Sequence, residues 1–374
     1  MPSQLTNYQC PSCMGPLHYV GESGMLECDY CGNHYSVREV ETLFEQQNAQ
    51  AEQAAAAIEA EQAEHAGEYE QDWDCAAAGS SWDAEAEGMK LYNCPSCGAE
   101  LICDATTAAT SCPYCGNHGI LPGKFRGLLK PDFILPFKQS KEDAVRALKK
   151  YYGGKRLLPR AFVDGNHIEE IKGVYVPFWL FNGKADVDMH FQATRVHTHR
   201  VGDERITETD HFDLHRAGSV EFSRIPVDAS SKMPDSHMDA IEAFDYNDLK
   251  PFSTAYLPGF LADVYDVEAR DCAAHADERA RNTAVDIVSS TVGGYSSCVP
   301  VSENVRLRRG TVDYALLPVW MLSTRWNGQN FLFAMNGQTG KLIGDLPVSK
   351  GRYWGMFAGV ALPIAAVLAL LLFL

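Results

Sequence analysis

Residues 94–118 read CPSCGAELICDATTAATSCPYCGNH and contain two Cys-x-x-Cys pairs separated by fourteen residues. The same cysteine pattern occurs 84 positions earlier in the chain. The residues after the last cysteine also agree, since Gly-Asn-His follows both Cys31 and Cys115. The repeat therefore predicts two copies of one small cysteine module. The candidate metal ligands are Cys10, Cys13, Cys28, Cys31, Cys94, Cys97, Cys112 and Cys115.

Four thiolates in two such pairs are the usual ligand set of a zinc ribbon, in which two short hairpins meet around one tetrahedral ion. We therefore expect Zn²⁺ at two structural sites, with iron in a rubredoxin-like site as the competing interpretation. Four protein sulfurs complete the coordination, so neither ion would offer an open position to a substrate. If each module folds by itself around its metal, replacing Cys94 with serine would unfold only the second one.

The remaining cysteines and the nearby histidines are not needed for either ligand set. Cys103 takes the place of Tyr19 in the repeat and is expected in a hairpin, and His34 and His118 are expected to pack or form hydrogen bonds. Five more histidines, at positions 190, 197, 199, 211 and 215, alternate with polar residues. Alternation on one strand face can hold a metal, but exposed strand residues are the favoured interpretation.

The charge distribution disfavours nucleic acid as a partner. The net charge is −17, and neither residues 1–37 nor residues 91–122 contain a lysine or arginine that could contact phosphate. The segment from Arg38 to Lys90 has fourteen acidic residues and a net charge of −12. We interpret residues 39–90 as a solvated, Ala/Glu/Gln-rich linker, with an acidic docking arm as the alternative.

Residues 123–350 have the composition of a folded α+β domain with an antiparallel sheet. Ser140 and Asp143 fit a capping box at the start of a helix that reaches Tyr152, and a second helix is expected near residues 268–290. The segments VYVPFWL at 174–180 and ALLPVWM at 315–321 share a strand pattern, which an internal duplication would explain. Neither a phosphate loop nor a Ser/His/Asp or Cys/His set stands out, so we expect no enzymatic activity.

Residues 354–374 contain no charged side chain and would span about 31 Å as a helix, enough to cross a bilayer core of about 30 Å. This predicts a transmembrane helix that acts as a single-pass tail anchor in the cell membrane. Lys350 and Arg352 flank it on one side and predict a cytoplasmic N-terminal bulk. Eleven basic residues face three acidic ones in residues 124–160, where a solvated face is favoured and contact with anionic lipid is the alternative.

The cysteine modules occur together with PVDASSKMPD at 226–235, LKPFSTAYLPGF at 249–260 and the segment from Leu317 to Lys341. In these stretches the chain resembles a bacterial family of membrane-associated proteins with transcription-factor-IIB-type zinc ribbons. Its members are often labelled primosomal or replication-restart helicases, although this chain has no helicase phosphate loop. Some relatives are associated with phage-shock and band-7-type envelope-stress proteins, which implies recruitment of partners to the membrane.

These features together define the expected organisation and function. The expected segments are zinc ribbon 1 at 1–38, the linker at 39–90, zinc ribbon 2 at 91–122, the α+β domain at 123–350 and the transmembrane helix at 354–374. We expect a non-enzymatic adaptor that recruits cytoplasmic proteins to the membrane, in envelope stress if the resemblance holds. The alternative is a zinc-ribbon regulator that binds nucleic acid.

Overall fold

The computed structural model describes most of the chain beyond residue 70 and parts of the region before it. The described residues are 10–12, 17–20, 23–28, 31–43, 45, 46, 49, 53, 56, 71–82, 89–104, 107, 111–123, 128–165, 170–201 and 203–373. Contacts divide the chain into two compact units. Unit 1 comprises residues 1–70, 186–219 and 288–306, and unit 2 comprises residues 71–185, 220–287 and 307–374.

The described residues form strands and helices of very unequal length. The strands are β1 (Leu17–Val20), β2 (Met25–Cys28), β3 (His34–Tyr35), β4 (Ser80–Ser81), β5 (Met89–Asn93), β6 (Glu100–Asp104), β7 (Leu121–Pro122), β8 (Leu129–Lys130), β9 (Phe133–Ile134), β10 (Lys172–Val201), β11 (Glu204–Asp228), β12 (Lys250–Pro251), β13 (Leu261–Asp263), β14 (Ser297–Trp326), β15 (Gln329–Asn336) and β16 (Leu342–Gly344). Residues 37–43 are helical, and the α-helices beyond residue 70 are α1 (Lys141–Tyr152), α2 (Arg160–Gly165), α3 (Asp235–Ile241), α4 (Ala269–Ser290) and α5 (Lys350–Phe373).

The expected capping box begins α1. The hydroxyl of Ser140 accepts a hydrogen bond from the Asp143 amide at 3.2 Å, and the Ser140 amide donates to the Asp143 carboxylate at 3.1 Å. Ala144, Leu148 and Tyr152 lie one turn apart on the buried face of the helix. This arrangement confirms the helix predicted from Ser140 to Tyr152.

The fold is mixed α+β with a large sheet. Strands β12, β9, β14, β10, β13, β6, β5 and β7 follow one another across this sheet, while β11 pairs with β10, and β15 pairs with β14 and β16. A purely antiparallel sheet is wrong, because β9 runs parallel to β14 and β10 runs parallel to β13. Parallel strands that are neighbours in a sheet are joined by long connections. The alternation of apolar and polar residues within one strand does not indicate the direction of a partner strand that is distant in the chain.

Matching hydrogen bonds surround the two parallel pairs. The indole nitrogen of Trp320 in β14 donates to the carbonyl of Gln139 at 3.0 Å, and that of Trp179 in β10 donates to the carbonyl of Val267 at 2.9 Å. Each carbonyl lies two residues before a helix, α1 in one case and α4 in the other. Both tryptophans therefore hold a strand against the start of a helix in the same way.

The aromatic contacts beside these tryptophans also match. The ring centroid of Phe137 lies 5.1 Å from that of Trp320, and the ring centroid of Tyr265 lies 5.1 Å from that of Trp179. Both pairs meet edge to face, an arrangement that aromatic rings favour. Phe137 precedes Gln139 by two residues, just as Tyr265 precedes Val267.

Residues 71–82 of the expected linker are not wholly solvated, because Trp73 is packed into unit 2. Residues 71–82 belong to unit 2, and the indole of Trp73 is buried 4.9 Å from the ring of Phe181. Its nitrogen donates to Asp277 at 3.0 Å, and Asp277 also accepts from Arg309 at 2.6 Å. A single buried indole gives no periodic pattern, so composition could not reveal this contact. Most of the linker before residue 71 lies outside the described residues.

Helix α5 is apolar and mostly exposed among its described side chains. Its residues 350–369 are long and apolar enough to cross a membrane, and none of this window is buried against the rest of the chain. A core helix of a soluble protein with the same composition would be mostly buried.

Candidate metal centres

The second cysteine module brings its four predicted ligands together. The Sγ atoms of Cys94, Cys97, Cys112 and Cys115 all lie within 4.8 Å of one another. Two of the pairs, Cys94 with Cys115 and Cys97 with Cys112, are 3.6 Å apart. A disulfide would bring two sulfurs to about 2.05 Å, whereas four sulfurs around a tetrahedral zinc ion lie about 3.8 Å apart. This group could hold a metal ion, and its sulfur donors suit a thiophilic one.

The first module gathers its described cysteines in the same way. The Sγ atoms of Cys10, Cys28 and Cys31 lie within 4.8 Å of one another, and those of Cys10 and Cys31 are 3.6 Å apart. The fourth predicted ligand, Cys13, lies outside the described residues. The Tyr35 hydroxyl accepts from the Cys10 thiol at 3.6 Å, so it closes one side of the group. The three described cysteines of the first module could therefore also bind a metal ion.

A shared backbone turn directs the thiols inward. In three knuckles the amide of the first cysteine donates to the carbonyl five residues later, at 2.8–3.0 Å. The residue after the second cysteine is then a glycine whose amide donates back to the first cysteine's carbonyl, at 2.8–3.0 Å. These glycines, Gly32, Gly98 and Gly116, have φ values of 70°, 72° and 70°, a region that disfavours any side chain. The Cys-x-x-Cys-Gly pattern is the sequence signal for this turn.

The second module is part of the large sheet. Its strand β6 pairs with β13, and the Val264 amide donates to the Glu100 carbonyl at 3.0 Å. Tyr114, which lies between two ligands, donates its hydroxyl proton to the buried carboxylate of Asp263 at 2.5 Å. Ser230 donates to the same Asp263 oxygen at 2.7 Å. The sulfurs and the sheet therefore share one core, and Cys94 and Cys112 are almost completely buried in it.

Tyr114, Ser230 and Asp263 support the second module, and sequence reasoning missed them. Burial raises the pKa of Asp263 to about 7, although hydrogen bonds from Tyr114 and Ser230 oppose the shift. The other oxygen of Asp263 is buried without a hydrogen-bond partner among the described residues, which fits a carboxyl group that takes up a proton readily. No spacing links these three residues in the chain, so only the fold reveals the cluster.

The thiols of the second module differ in how readily they ionise. Burial raises the pKa of Cys94, but hydrogen bonds from the amides of Cys97 and Ser96 and from the thiols of Cys115 and Cys97 together outweigh burial and lower it to about 7. Burial raises the pKa of Cys97 to about 11 and that of Cys112 further. Several buried thiolates this close together need a cation to balance their charge, which a bound metal ion would supply.

A polar cleft of about 600 Å³ opens beside the second centre. Cys112, Cys115 and His118 line one part of it, and Lys172 and Arg325 line another. Lys172 donates to the carbonyl of Ser111 at 2.6 Å, and burial lowers its pKa. Glu170 contributes a carboxylate to the lining of this cleft. The lining therefore contains two basic side chains, Lys172 and Arg325, and one carboxylate.

Cys103, His34 and His118 are not among the grouped cysteines. The Cys103 thiol is buried in strand β6 and donates to the Thr107 carbonyl at 3.3 Å, as a hairpin residue would. His34 is half-exposed with its Nδ1 3.9 Å from Glu27, and His118 is exposed at the cleft.

The histidine-rich strands bring three side chains together within unit 1. His215 Nε2 lies 2.7 Å from Asp188 Oδ1, and His190 Nε2 lies 3.8 Å from the same oxygen. The two imidazoles stack with their centroids 4.3 Å apart. His197 instead faces Asp210 at 3.7 Å. Alternation therefore did not identify the grouped pair, because His190 and His215 come from different strands.

Comparison with known proteins finds an uncharacterized relative, YdjG of Bacillus subtilis (strain 168). It is 34% identical over 319 residues, which cover 72% of this chain and 94% of YdjG. The chain belongs to the YdjG family. No family model matches the chain, and no solved structure matches it. Sequence similarity to an uncharacterized protein assigns no activity to this chain. The function proposed below therefore depends on the two cysteine groups and the apolar helix.

Proposed function

We propose that this protein is a non-enzymatic adaptor that is anchored in the cell membrane by α5 and recruits cytoplasmic proteins through two zinc ribbons. The observation that carries the proposal is the combination of a four-sulfur group, a three-sulfur group and one apolar helix that is not buried by the described residues. Closed thiolate sites stabilise structure and leave no coordination position for catalysis. An exposed apolar helix of this length gives the protein a place in a bilayer.

The charges of the modules favour protein partners over nucleic acid. Residues 1–37 and 91–122 contain no lysine or arginine, so a polyanion would find no cation on either module. We propose the cleft beside the second centre as the contact surface for a partner. Lys172 and Arg325 line it, so acidic side chains of a protein partner could pair with these two groups.

Affinity purification from detergent-solubilised membranes tests this function. Tagged full-length protein should enrich the same cytoplasmic proteins in the wild type and in the matched control Arg205→Glu, since Arg205 is exposed in unit 1. Arg325→Glu, which reverses a charge of the cleft, should reduce that enrichment about tenfold. Quantitative mass spectrometry provides the measurement. Equal enrichment by both variants would refute the cleft, and loss of all partners on nuclease treatment would favour the nucleic-acid regulator.

We also propose that the large sheet and its helices contain two diverged copies of one short strand–helix–long strand unit. One copy would comprise β9, α1, α2 and β10, and the other β13, α4 and β14. The matched indole and ring contacts support this interpretation, as does the pairing of each short strand with the long strand of the other copy. In this alignment buried Asp263 corresponds to buried Leu135, so a carboxylate has replaced a core leucine where the second module is attached.

A further inference from the structure

The loop between α1 and α2 is fastened to the first turn of α5. The Ser349 amide donates to the Leu157 carbonyl at 2.9 Å, and the Arg352 guanidinium donates to the Leu158 carbonyl at 2.6 Å. Two hydrogen bonds, one from the backbone and one from a charged side chain, thus fix this loop at the root of the apolar helix. All of these residues belong to unit 2.

The fastened loop surrounds the helix root with cations. A cleft of about 490 Å³ is lined by Lys155, Arg156, Arg160 and Arg352 together with Tyr152, Gly154, Leu158 and Val163. The four basic residues are exposed, and no acidic residue is among those that line this cleft. Four like charges around one opening create a positive potential that a neutral or cationic ligand would not satisfy.

An apolar cleft adjoins the cationic one. It measures about 420 Å³ and is lined by Leu157, Leu158, Leu346, Pro347 and Val348 besides the loop residues from Gly154 to Arg156. Val348 is 59% exposed, although it lies directly before the apolar helix. Cationic and apolar surfaces therefore meet at the level where α5 would enter a bilayer.

We infer that these two clefts form one binding site for an anionic phospholipid, with its phosphate among the four cations and the start of its acyl chains against the apolar wall. The inference rests on the proposed membrane insertion of α5, which would hold the helix root at the headgroup level. A solvated basic face would need neither the apolar wall nor a fixed position beside the helix. Cations at this level favour anionic lipids, and their effects add together.

Native mass spectrometry of the full-length, detergent-solubilised protein tests the site. The protein is titrated with phosphatidylglycerol or with phosphatidylcholine of the same acyl chains, and the dissociation constant of the first bound lipid is compared. The wild type should prefer phosphatidylglycerol by about tenfold or more. The triple variant Lys155→Gln/Arg156→Gln/Arg160→Gln should lose that preference, because the phosphate loses three of its four cations.

A second triple variant provides the matched control. Arg200→Gln/Arg205→Gln/Lys250→Gln removes the same number of exposed charges elsewhere and should keep the preference. An unchanged preference in the first triple variant, or an equal loss in the control, would overturn the site. Millimolar inorganic phosphate should leave lipid binding intact. If inorganic phosphate displaces the bound lipid, free phosphate is the ligand of this site instead.

Carbonate extraction of membranes separates the two proposals. Full-length wild type and both triple variants should remain in the membrane fraction, because insertion depends on α5 and not on these cations. If all three are extracted, the membrane anchor fails. If all three stay while the first triple variant keeps its lipid preference, only the lipid site fails. Near-UV circular dichroism confirms that the variants are folded.

Discussion

Tyr114 couples the second metal centre to the sheet, and its replacement by phenylalanine should destabilise both. The change removes one hydroxyl, which donates to the buried carboxylate of Asp263 at 2.5 Å. A hydrogen bond to a charged group contributes about 1.5–3 kcal/mol, and Ser230 still donates to the same oxygen, so the expected cost is about 2 kcal/mol. For a domain of this size about 2 kcal/mol lowers the unfolding midpoint by roughly 4–8 °C.

The assay follows zinc release and the near-UV signal of the core tryptophans during heating of the full-length protein in detergent. A background of Cys28→Ser/Cys31→Ser removes the first site, so that released zinc comes from the second one. Both signals should change at one temperature in Tyr114→Phe, since the thiols and the sheet share a core. Tyr35→Phe, in the intact background, makes the same chemical change in the first module and should leave the tryptophan transition unchanged.

A double-mutant cycle that combines Tyr114→Phe with Asp263→Leu measures the interaction energy between these two side chains. Leucine is the residue at the corresponding position 135, so it suits the packing of a β-strand core there. The double variant should be more stable than the sum of the single effects predicts, by about 1–3 kcal/mol, because neither partner is left unpaired. Additive effects, or release of zinc well below the tryptophan transition, would refute a shared core and restore the expectation that loss of Cys94 unfolds the second module alone.

Further predictions concern metal content, the packed end of the linker, pH and the anchor. Reduced protein should contain two zinc ions per chain by elemental analysis, and iron or a single ion would contradict the ligand assignment. Trp73→Ala should lower the free energy of unfolding by about 3–5 kcal/mol, and Trp73→Phe by about 1.5–3 kcal/mol, because phenylalanine keeps most of the buried surface but loses the hydrogen bond to the Asp277 carboxylate. Folding raises the pKa of Asp263 to about 7, so the stability this group contributes is present at low pH and is lost as pH rises through about 7. Between pH 8 and pH 6.5 the zinc-loaded wild type should therefore gain about 0.8 kcal/mol relative to Asp263→Asn in denaturant titrations, and parallel curves would show that Asp263 does not titrate there. Deletion of residues 354–374 should move the protein to the soluble fraction, and protease added outside spheroplasts should spare the N-terminal bulk of the full-length protein.

Local chemistry decided the features that sequence alone could predict. The spacing of the eight cysteines predicts two metal-binding groups. The structure brings together the seven of these cysteines that it describes, four in one group and three in the other. A capping box and a turn-spaced apolar face were enough for α1, because a helix is stabilised by residues close together in the chain. The apolar run at residues 354–374 likewise needs only length and composition to predict a helix that could cross a membrane.

Tertiary structure decided which of these local pieces share a core. The sheet continues from β6 to β13, so the second cysteine module is joined to the α+β fold although residues 91–122 look like a separate module in the sequence. Tyr114 and Asp263 are far apart in the chain, and so are Trp73 and Asp277, yet each pair is joined by a hydrogen bond. Contacts of this kind depend on strand order and direction, and on the burial that follows from them. No periodicity records these properties, because they arise from residues that meet only after the chain has folded.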